Sequence, residues 1–297
     1  MLKPAEADEL TTIALSVPPT LRFFRGLALG LALVALASCA RSPYEFAASP
    51  SKVGPAIHGD NRPHPGVDRA RGLPIQGMDV ARYQGDIDYA KVRAAGIHFV
   101  YMKGTEGKDY VDPAFKTNWA RARASGMAHG VYHFMTWCST AAEQARWFKQ
   151  NVPQDPTALP PVLDLEWNHD SSCKKKWSKA DVLEKIRVML KAMEEHTGKL
   201  PIIYTDIPFH HDILEGEHFD NPFWLRSTAA EPPQRYRGRN WMLWQWTQTG
   251  TLNGVVGEVD RNAFYGDEND WTVFLLTGCD PRMVDALGPG GRCSLAK

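Results

Sequence analysis

The sequence lacks an excess of charge of either sign. Its 34 basic and 34 acidic side chains cancel over 297 residues, which argues against a protein that holds nucleic acid through bulk positive charge. Cysteine is scarce, with five in all and no Cys-x-x-Cys pair, so a zinc site has little ligand pattern to rest on. No Gly-x-Gly-x-x-Gly and no P-loop follows any apolar run, which removes the usual nucleotide-binding folds. No apolar run reaches the roughly 20 residues that a membrane-spanning helix needs. There is no internal repeat. What is present is ordinary for a folded globular chain: 43% hydrophobic and 23% charged residues. That composition excludes a wholly disordered chain, a collagen or a coiled coil. Aromatic residues are plentiful, with 10 Trp, 9 Tyr and 12 Phe.

The first segment reads as an address. Arg22 and Arg25 precede an apolar run from Gly26 to Ala37, whose length suits the core of a signal peptide. It ends in Leu36-Ala37-Ser38-Cys39, which resembles the lipobox of bacterial lipoproteins. The resemblance implies cleavage before Cys39 and lipidation of its thiol. Ala40 follows, a context that implies the periplasmic face of the outer membrane in a two-membrane bacterium. Residues 1–38 are thus expected to be a signal peptide. Residues 39–73, rich in Pro, Gly, Ser and charge, are expected to form a flexible tether. Four cysteines remain, Cys138, Cys173, Cys279 and Cys293, an even number that suggests two disulfides in an exported chain. Three pairings are possible, and local geometry favours Cys138–Cys173 with Cys279–Cys293.

From Gly72 onward short apolar runs alternate with helical patterns. Strands are expected at residues 75–80, 97–103, 128–134, 161–166, 200–205, 222–226, 241–246 and 258–263. Helices are expected at 86–95 and 112–125. A third should be capped at Ser139, and a fourth should open at Ser178 and close at Gly198. Connections shorten after the fifth strand. Eight strands with this pattern fit an α/β fold, an irregular TIM-like (β/α) barrel at residues 74–266 whose last strands lack full helices. An open doubly wound sheet is the rival. Residues 267–297 are expected to be a C-terminal extension pinned by a disulfide.

In such barrels the chemistry sits at the C-terminal ends of the strands. Asp79 closes the first strand, Asp164 and Glu166 the fourth, and Asp260 lies in the last. Strand side chains alternate, so Asp164 and Glu166 share one face while Leu163 and Leu165 share the other. Two close carboxyls oppose each other's ionisation, so one keeps a proton near neutral pH. A general acid for a glycosidic bond needs such a proton. In a closed barrel Asp79 and Asp260 are neighbours.

These residues resemble glycoside hydrolase family 25, the Chalaropsis-type lysozymes. The resemblance is carried by residues 77–89 (GMDVARYQGDIDY), 99–107 (FVYMKGTEG), 130–134 (GVYHF) and 161–166 (PVLDLE). It continues through 203–205 (IYT), Trp224-Leu225, 244–247 (WQWT) and 259–264 (VDRNAF), in family order. It implies cleavage of the β-1,4 bond between N-acetylmuramic acid and N-acetylglucosamine in peptidoglycan, without a cofactor or metal. Glu166 matches the family's proton donor, Asp164 the carboxylate that assists, and Asp79 and Asp260 its other two acidic positions. Tyr132, Tyr204, Trp224 and Gln245 match groove positions, and Lys103 and Glu106 are expected to be a structural or groove-edge pair. The family often has Trp-x-Ala-x-Tyr where this chain has Trp224-Leu225-Arg226-Ser227-Thr228, so Arg226 is expected to alter that side of the groove. The expected partners are peptidoglycan and, through Cys39, a membrane; nucleic acid is not expected, and the chain is read as a monomer. A non-catalytic glycan-binding lipoprotein on the same scaffold, or another amino-sugar hydrolase, are the competing functions. His133, His210 and His211 lack ligand spacing and are expected to be structural.

Overall fold

The computed structural model describes residues 59–168, 173 and 175–282. The signal segment, Cys39, Cys293 and most of the tether lie outside the described residues. Ten strands form one sheet: β1 Gly59–Asp60, β2 Gln76–Val80, β3 Ile97–Glu106, β4 Tyr110–Val111, β5 Ala128–Phe134, β6 Val162–Leu165, β7 Ile202–Thr205, β8 Phe223–Arg226, β9 Leu243–Thr251 and β10 Val259–Phe264. Eight of them close in the order β10-β2-β3-β5-β6-β7-β8-β9, because β9 pairs with both β8 and β10. The α/β barrel expected from the apolar pattern is therefore present, with β1 and β4 as short additions at β9 and β3. Neighbours from β2 round to β9 run parallel. β10 runs antiparallel to both β9 and β2. The link over residues 252–258 is too short for the crossover that a parallel return requires, so the chain turns back as a hairpin.

Local chemistry sets the helix ends. Ser178 caps Lys179–Thr197 through the Asp181 amide, and Gly198 ends it in the left-handed region at φ 72°. The cap expected at Ser139 is Thr140 instead: its hydroxyl accepts from the Glu143 amide, and the Glu143 carboxylate accepts from the Thr140 amide, a reciprocal box ahead of Ala141–Asn151. After β7 the helical layer shrinks to Ile207–Phe209 running into a π turn, and after β8 to Pro232–Arg235.

The lumen takes up much of the aromatic content. Ring contacts run from Tyr204 to Trp224, Tyr101, Phe99 and Trp271 with centroid separations of 5.1, 5.2, 6.2 and 5.2 Å. Gly77 and Gly130 make this column possible. A Cβ on either would come within 2.2 Å of Phe99 or Tyr101 respectively. Trp271 and Phe274 belong to the Glu268–Thr277 helix, so part of the expected extension packs against Phe99 and Phe264. Residues 59–73, expected as tether, carry β1 and the short helix Asp68–Gly72, with Val67 and Ala70 buried in the core. The stretch is docked by those two apolar side chains together with the pairing of β1 to β9 and the bond from Gln76 Nε2 to Ala70 O at 2.8 Å.

Cys138 and Cys173 are joined, as favoured by sequence, across a separation of 35 residues. The cross-link ties the segment after β5 to the one after β6. Replacing both with Ser is expected to lower unfolding free energy by about 2–4 kcal/mol, read by urea denaturation; an unchanged midpoint would show that the link carries no stability.

Candidate active site

The C-terminal ends of the parallel strands surround a cavity of about 180 Å³ lined by Asp79, Lys103, Tyr132, Phe134, Val162, Asp164, Glu166, Tyr204, Trp224, Gln245, Gln248 and Asp260. Nine of the ten expected site residues therefore meet in one place. Glu106 is the exception. It lies beside the cavity, where its carboxylate accepts from Lys103 Nζ at 2.5 Å. Phe134, Val162 and Gln248 were not anticipated.

Strand alternation places the central pair as expected. Leu163 and Leu165 are fully buried in the apolar core, while Asp164 and Glu166 turn into the cavity. The backbone beneath them is gripped at three successive carbonyls. Asp164 O accepts from Met135 N at 3.0 Å, Leu165 O from Thr205 Oγ1 at 3.0 Å, and Glu166 O from Trp137 Nε1 at 2.9 Å. Trp137 itself stacks on Phe209. Its part in fixing Glu166 has no sequence signal, because its partner lies 29 residues away.

Asp79 and Asp260 face each other in register across β2 and β10. Asp79 Oδ1 accepts from Asn262 Nδ2 at 2.7 Å and Gln245 Nε2 at 2.9 Å. Burial, then the Asp79 charge, push Asp260 up to about 9. The two amide donors favour the ionised form of Asp79, which leaves Asp260 the better placed of the two to keep a proton. The network continues outward from Asp79. Asn262 Oδ1 accepts from Trp224 Nε1 at 2.9 Å, and Gln245 Oε1 accepts from Tyr204 Oη at 2.8 Å. Trp224 and Gln245, expected in the groove, are 1% and 2% exposed and spend their polar groups on this support. Asn262 was missed although it alternates with Asp260 on β10.

Burial also holds the central pair above the ordinary carboxyl range. Asp164 stands well above it, raised by burial and by the Glu166 charge and opposed by the Lys103 ammonium. Its Oδ1 is buried without a hydrogen-bond partner. Glu166 is raised by burial and by Asp206, and opposed by Arg226 and by a hydrogen bond with Tyr204. Burial among these acids keeps the Tyr132 hydroxyl protonated, a donor. Asp206 caps Ile207–Phe209, accepting from Phe209 N at 2.9 Å. Arg226 lies 4.0 Å from Asp206 and donates Nε and Nη2 to Gln248 Oε1 at 3.1 and 2.8 Å. Arg226 thus sets a guanidinium between Gln248 and a fifth acid.

The signs give a paired prediction. Arg226→Ala removes a nearby positive charge and should move the basic limb of the kcat/KM profile to higher pH, because the Glu166 carboxyl then keeps its proton longer. Asp206→Asn should move the limb to lower pH. Shifts of the same sign in both variants would contradict the assignment of that limb to Glu166.

The expected structural histidines have protein partners. His133 lies between Thr105 Oγ1 at 2.8 Å and Gln144 Oε1 at 3.2 Å, and burial lowers its pKa to about 4. His210 Nε2 accepts from Arg239 Nε, and exposed His211 meets Asp212. Among the described residues no group of three or more His, Cys, Asp or Glu is arranged to hold a metal ion.

A carboxyl held above its ordinary range beside other carboxyls at a barrel mouth is equipment for glycosidic bond cleavage. A family model for glycosyl hydrolases family 25 matches residues 78–255. The chain belongs to this family. Among its relatives, uncharacterized protein YegX of Escherichia coli strain K12 is 35% identical over 68% of this chain and 73% of its own length. Lysozyme M1 of Streptomyces globisporus is 32% identical over 65% of this chain and 68% of its own. The family 25 glycosyl hydrolase structure from Bacillus anthracis superposes with a TM-score of 0.64 at 33% identity, covering 72% of this chain and 97% of that one. A family 25 enzyme is a glycoside hydrolase, and the matched span contains Asp79, Asp164 and Glu166.

Proposed function

We propose that the chain cleaves the β-1,4 bond between N-acetylmuramic acid and N-acetylglucosamine in peptidoglycan, with Glu166 as the general acid. The observation that carries this reading is the partly exposed Glu166, held above the ordinary carboxyl range on a backbone gripped at three carbonyls. Its membership of a family that includes a lysozyme supports the substrate class.

In this reading the Glu166 proton passes to the glycosidic oxygen as the bond from the anomeric carbon breaks. Asp164 acts on the sugar's acetamido group. Its unpartnered Oδ1 accepts the acetamido N–H, which turns the acetyl oxygen toward the anomeric carbon to form the new bond. Glu166, now ionised, takes a proton from water as water opens that intermediate, and the acid is restored. Asp79 and Asp260 form the opposite wall, where one charge and one shared proton are fixed by Asn262 and Gln245. Tyr132 supplies a hydroxyl donor to the sugar.

The cellular placement rests on the sequence. Peptidoglycan lies outside the cytoplasm, and the Cys138–Cys173 link suits that compartment. We infer that Cys39 carries the lipid anchor and that the enzyme works near the wall as a monomer.

Digestion of purified peptidoglycan by the full-length chain, followed by borohydride reduction and mass spectrometry, tests the bond specificity. The expected products carry reduced N-acetylmuramic acid ends. Reduced N-acetylglucosamine ends would make the enzyme a glucosaminidase, and intact glycan with folded protein would return the glycan-binding alternative.

A further inference from the structure

The cavity is too small for the work it is given. Its roughly 180 Å³ falls below the ~300–1,000 Å³ of a typical ligand pocket. A glycan bond joins two sugar rings, so the chain also lies on the rim. The rim beside β2 and β3 carries an exposed aromatic ring. Tyr83 is 75% exposed, and it is the aromatic residue among the exposed large hydrophobic residues described.

Its exposure is not that of a loose loop. Tyr83 sits in a 3-10 turn, Arg82–Gln84, directly after the strand that supplies Asp79. Gln84 Oε1 accepts from Ala81 N at 2.9 Å, and Gln84 Nε2 reaches Glu258 O at 3.3 Å. Arg82 N donates to Asp112 Oδ2 at 3.0 Å. Gly85 ends the turn at φ 59°, a conformation that favours glycine. The turn is thus pinned to β4's connection on one side and to β10's approach on the other. The Arg82 guanidinium lies 5.0 Å from the centre of the Tyr83 ring. It covers one face, which leaves the other face to solvent.

A line of side chains joins this ring to the cavity. Asp112, which holds Arg82 N, directly follows Tyr110–Val111 of β4, so the turn is bonded to the strand end that carries Tyr110. Lys103 Nζ stands 5.6 Å from the Tyr110 ring and 4.9 Å from the Phe134 ring. Lys103 and Phe134 line the cavity. We propose that Tyr83, backed by Arg82 and continued by Tyr110, is a carbohydrate subsite that stacks an N-acetylated sugar of the same glycan beyond the one held in the cavity. The apolar face of a pyranose ring meets the open face of Tyr83, while its hydroxyl and acetamido groups stay in water. This rests on the glycan-cleaving reading above.

The test uses the full-length chain with short and long soluble glycan fragments of peptidoglycan, and separately measures binding of an N-acetylglucosamine oligomer by calorimetry. Tyr83→Ala is expected to raise KM for the long fragment by about tenfold, with kcat and the short fragment unchanged. It should weaken oligomer binding by a similar factor. Tyr83→Trp, with a wider face, should restore or tighten both. An equal effect on short and long fragments, or none on either, would overturn the subsite. Because oligomer binding needs no cleavage, a chain that binds through Tyr83 but cuts nothing would keep the subsite and sink the hydrolase reading. Loss of cleavage on both fragments without loss of binding in Tyr83→Ala would overturn the subsite alone.

Discussion

Glu166→Gln is expected to lower kcat on peptidoglycan by about 10³-fold, within the range that a general acid contributes. KM should stay near wild type, and the unfolding midpoint at neutral pH should not fall. The reason is local. Gln keeps the size and can still meet Tyr204, while the three backbone bonds that hold this stretch use carbonyls and not the side chain. Only the transferable proton is lost. A second substrate separates this from general damage. A glycoside with a weakly basic aryl leaving group needs no proton to depart, so the variant should recover most of its rate on that compound. Equal loss on both substrates would mean that Glu166 does something other than protonate the leaving oxygen.

Asp164→Asn should lose a comparable part of kcat, about 10²–10³-fold on the scale of an oxyanion-hole donor, and gain stability. The activity falls because the acetamido N–H of bound substrate favours the ionised form of Asp164, and a neutral amide has no such form. A glycan with free amines in place of acetamido groups should be a poor substrate for wild type and should show little further loss in the variant. Stability moves the other way. Asp164 is buried with Oδ1 unpartnered, and its folded pKa lies well above the unfolded value. Between those two values the folded state binds more protons than the unfolded one, so its contribution to stability falls as pH rises. Asn removes that penalty. The expected gain is about 0.5–2 kcal/mol at pH 7, vanishing near pH 3 where the carboxyl is protonated in both states. A variant that is less stable at both pH values would contradict the burial argument.

Much of this site could be read from single residues, and the limits have physical causes. Alternation along residues 162–166 separates the carboxyls from the leucines without any tertiary information, and the structure places both sets accordingly. Ser178 and Gly198 mark their helix because capping is a local interaction. Thr140 and Glu143 carried an equally local signal, a capping box one residue past the expected cap. The reversal of β10 was legible only through the length of the link at 252–258, since strand periodicity is the same in either direction. Asn262, Asp206 and Trp137 were not legible. Each acts on a partner brought near by barrel closure or by a neighbouring strand, and a polar residue beside a strand looks the same whether it caps, supports or faces solvent. Trp224 and Gln245 fell in the right place but behind the acids, because sequence position fixes the strand and not the depth of the side chain.

The mechanism depends on where one proton sits. The most direct measurement is a carbon-13 titration of glutamate carboxyls in the full-length chain, with the Glu166 resonance assigned by its absence in Glu166→Gln. The account predicts that this carboxyl titrates above the ordinary glutamate value of about 4.3 and shifts downward in Asp206→Asn. Titration at or below the ordinary value, unmoved by Asp206→Asn, would contradict it and leave the chain without its acid.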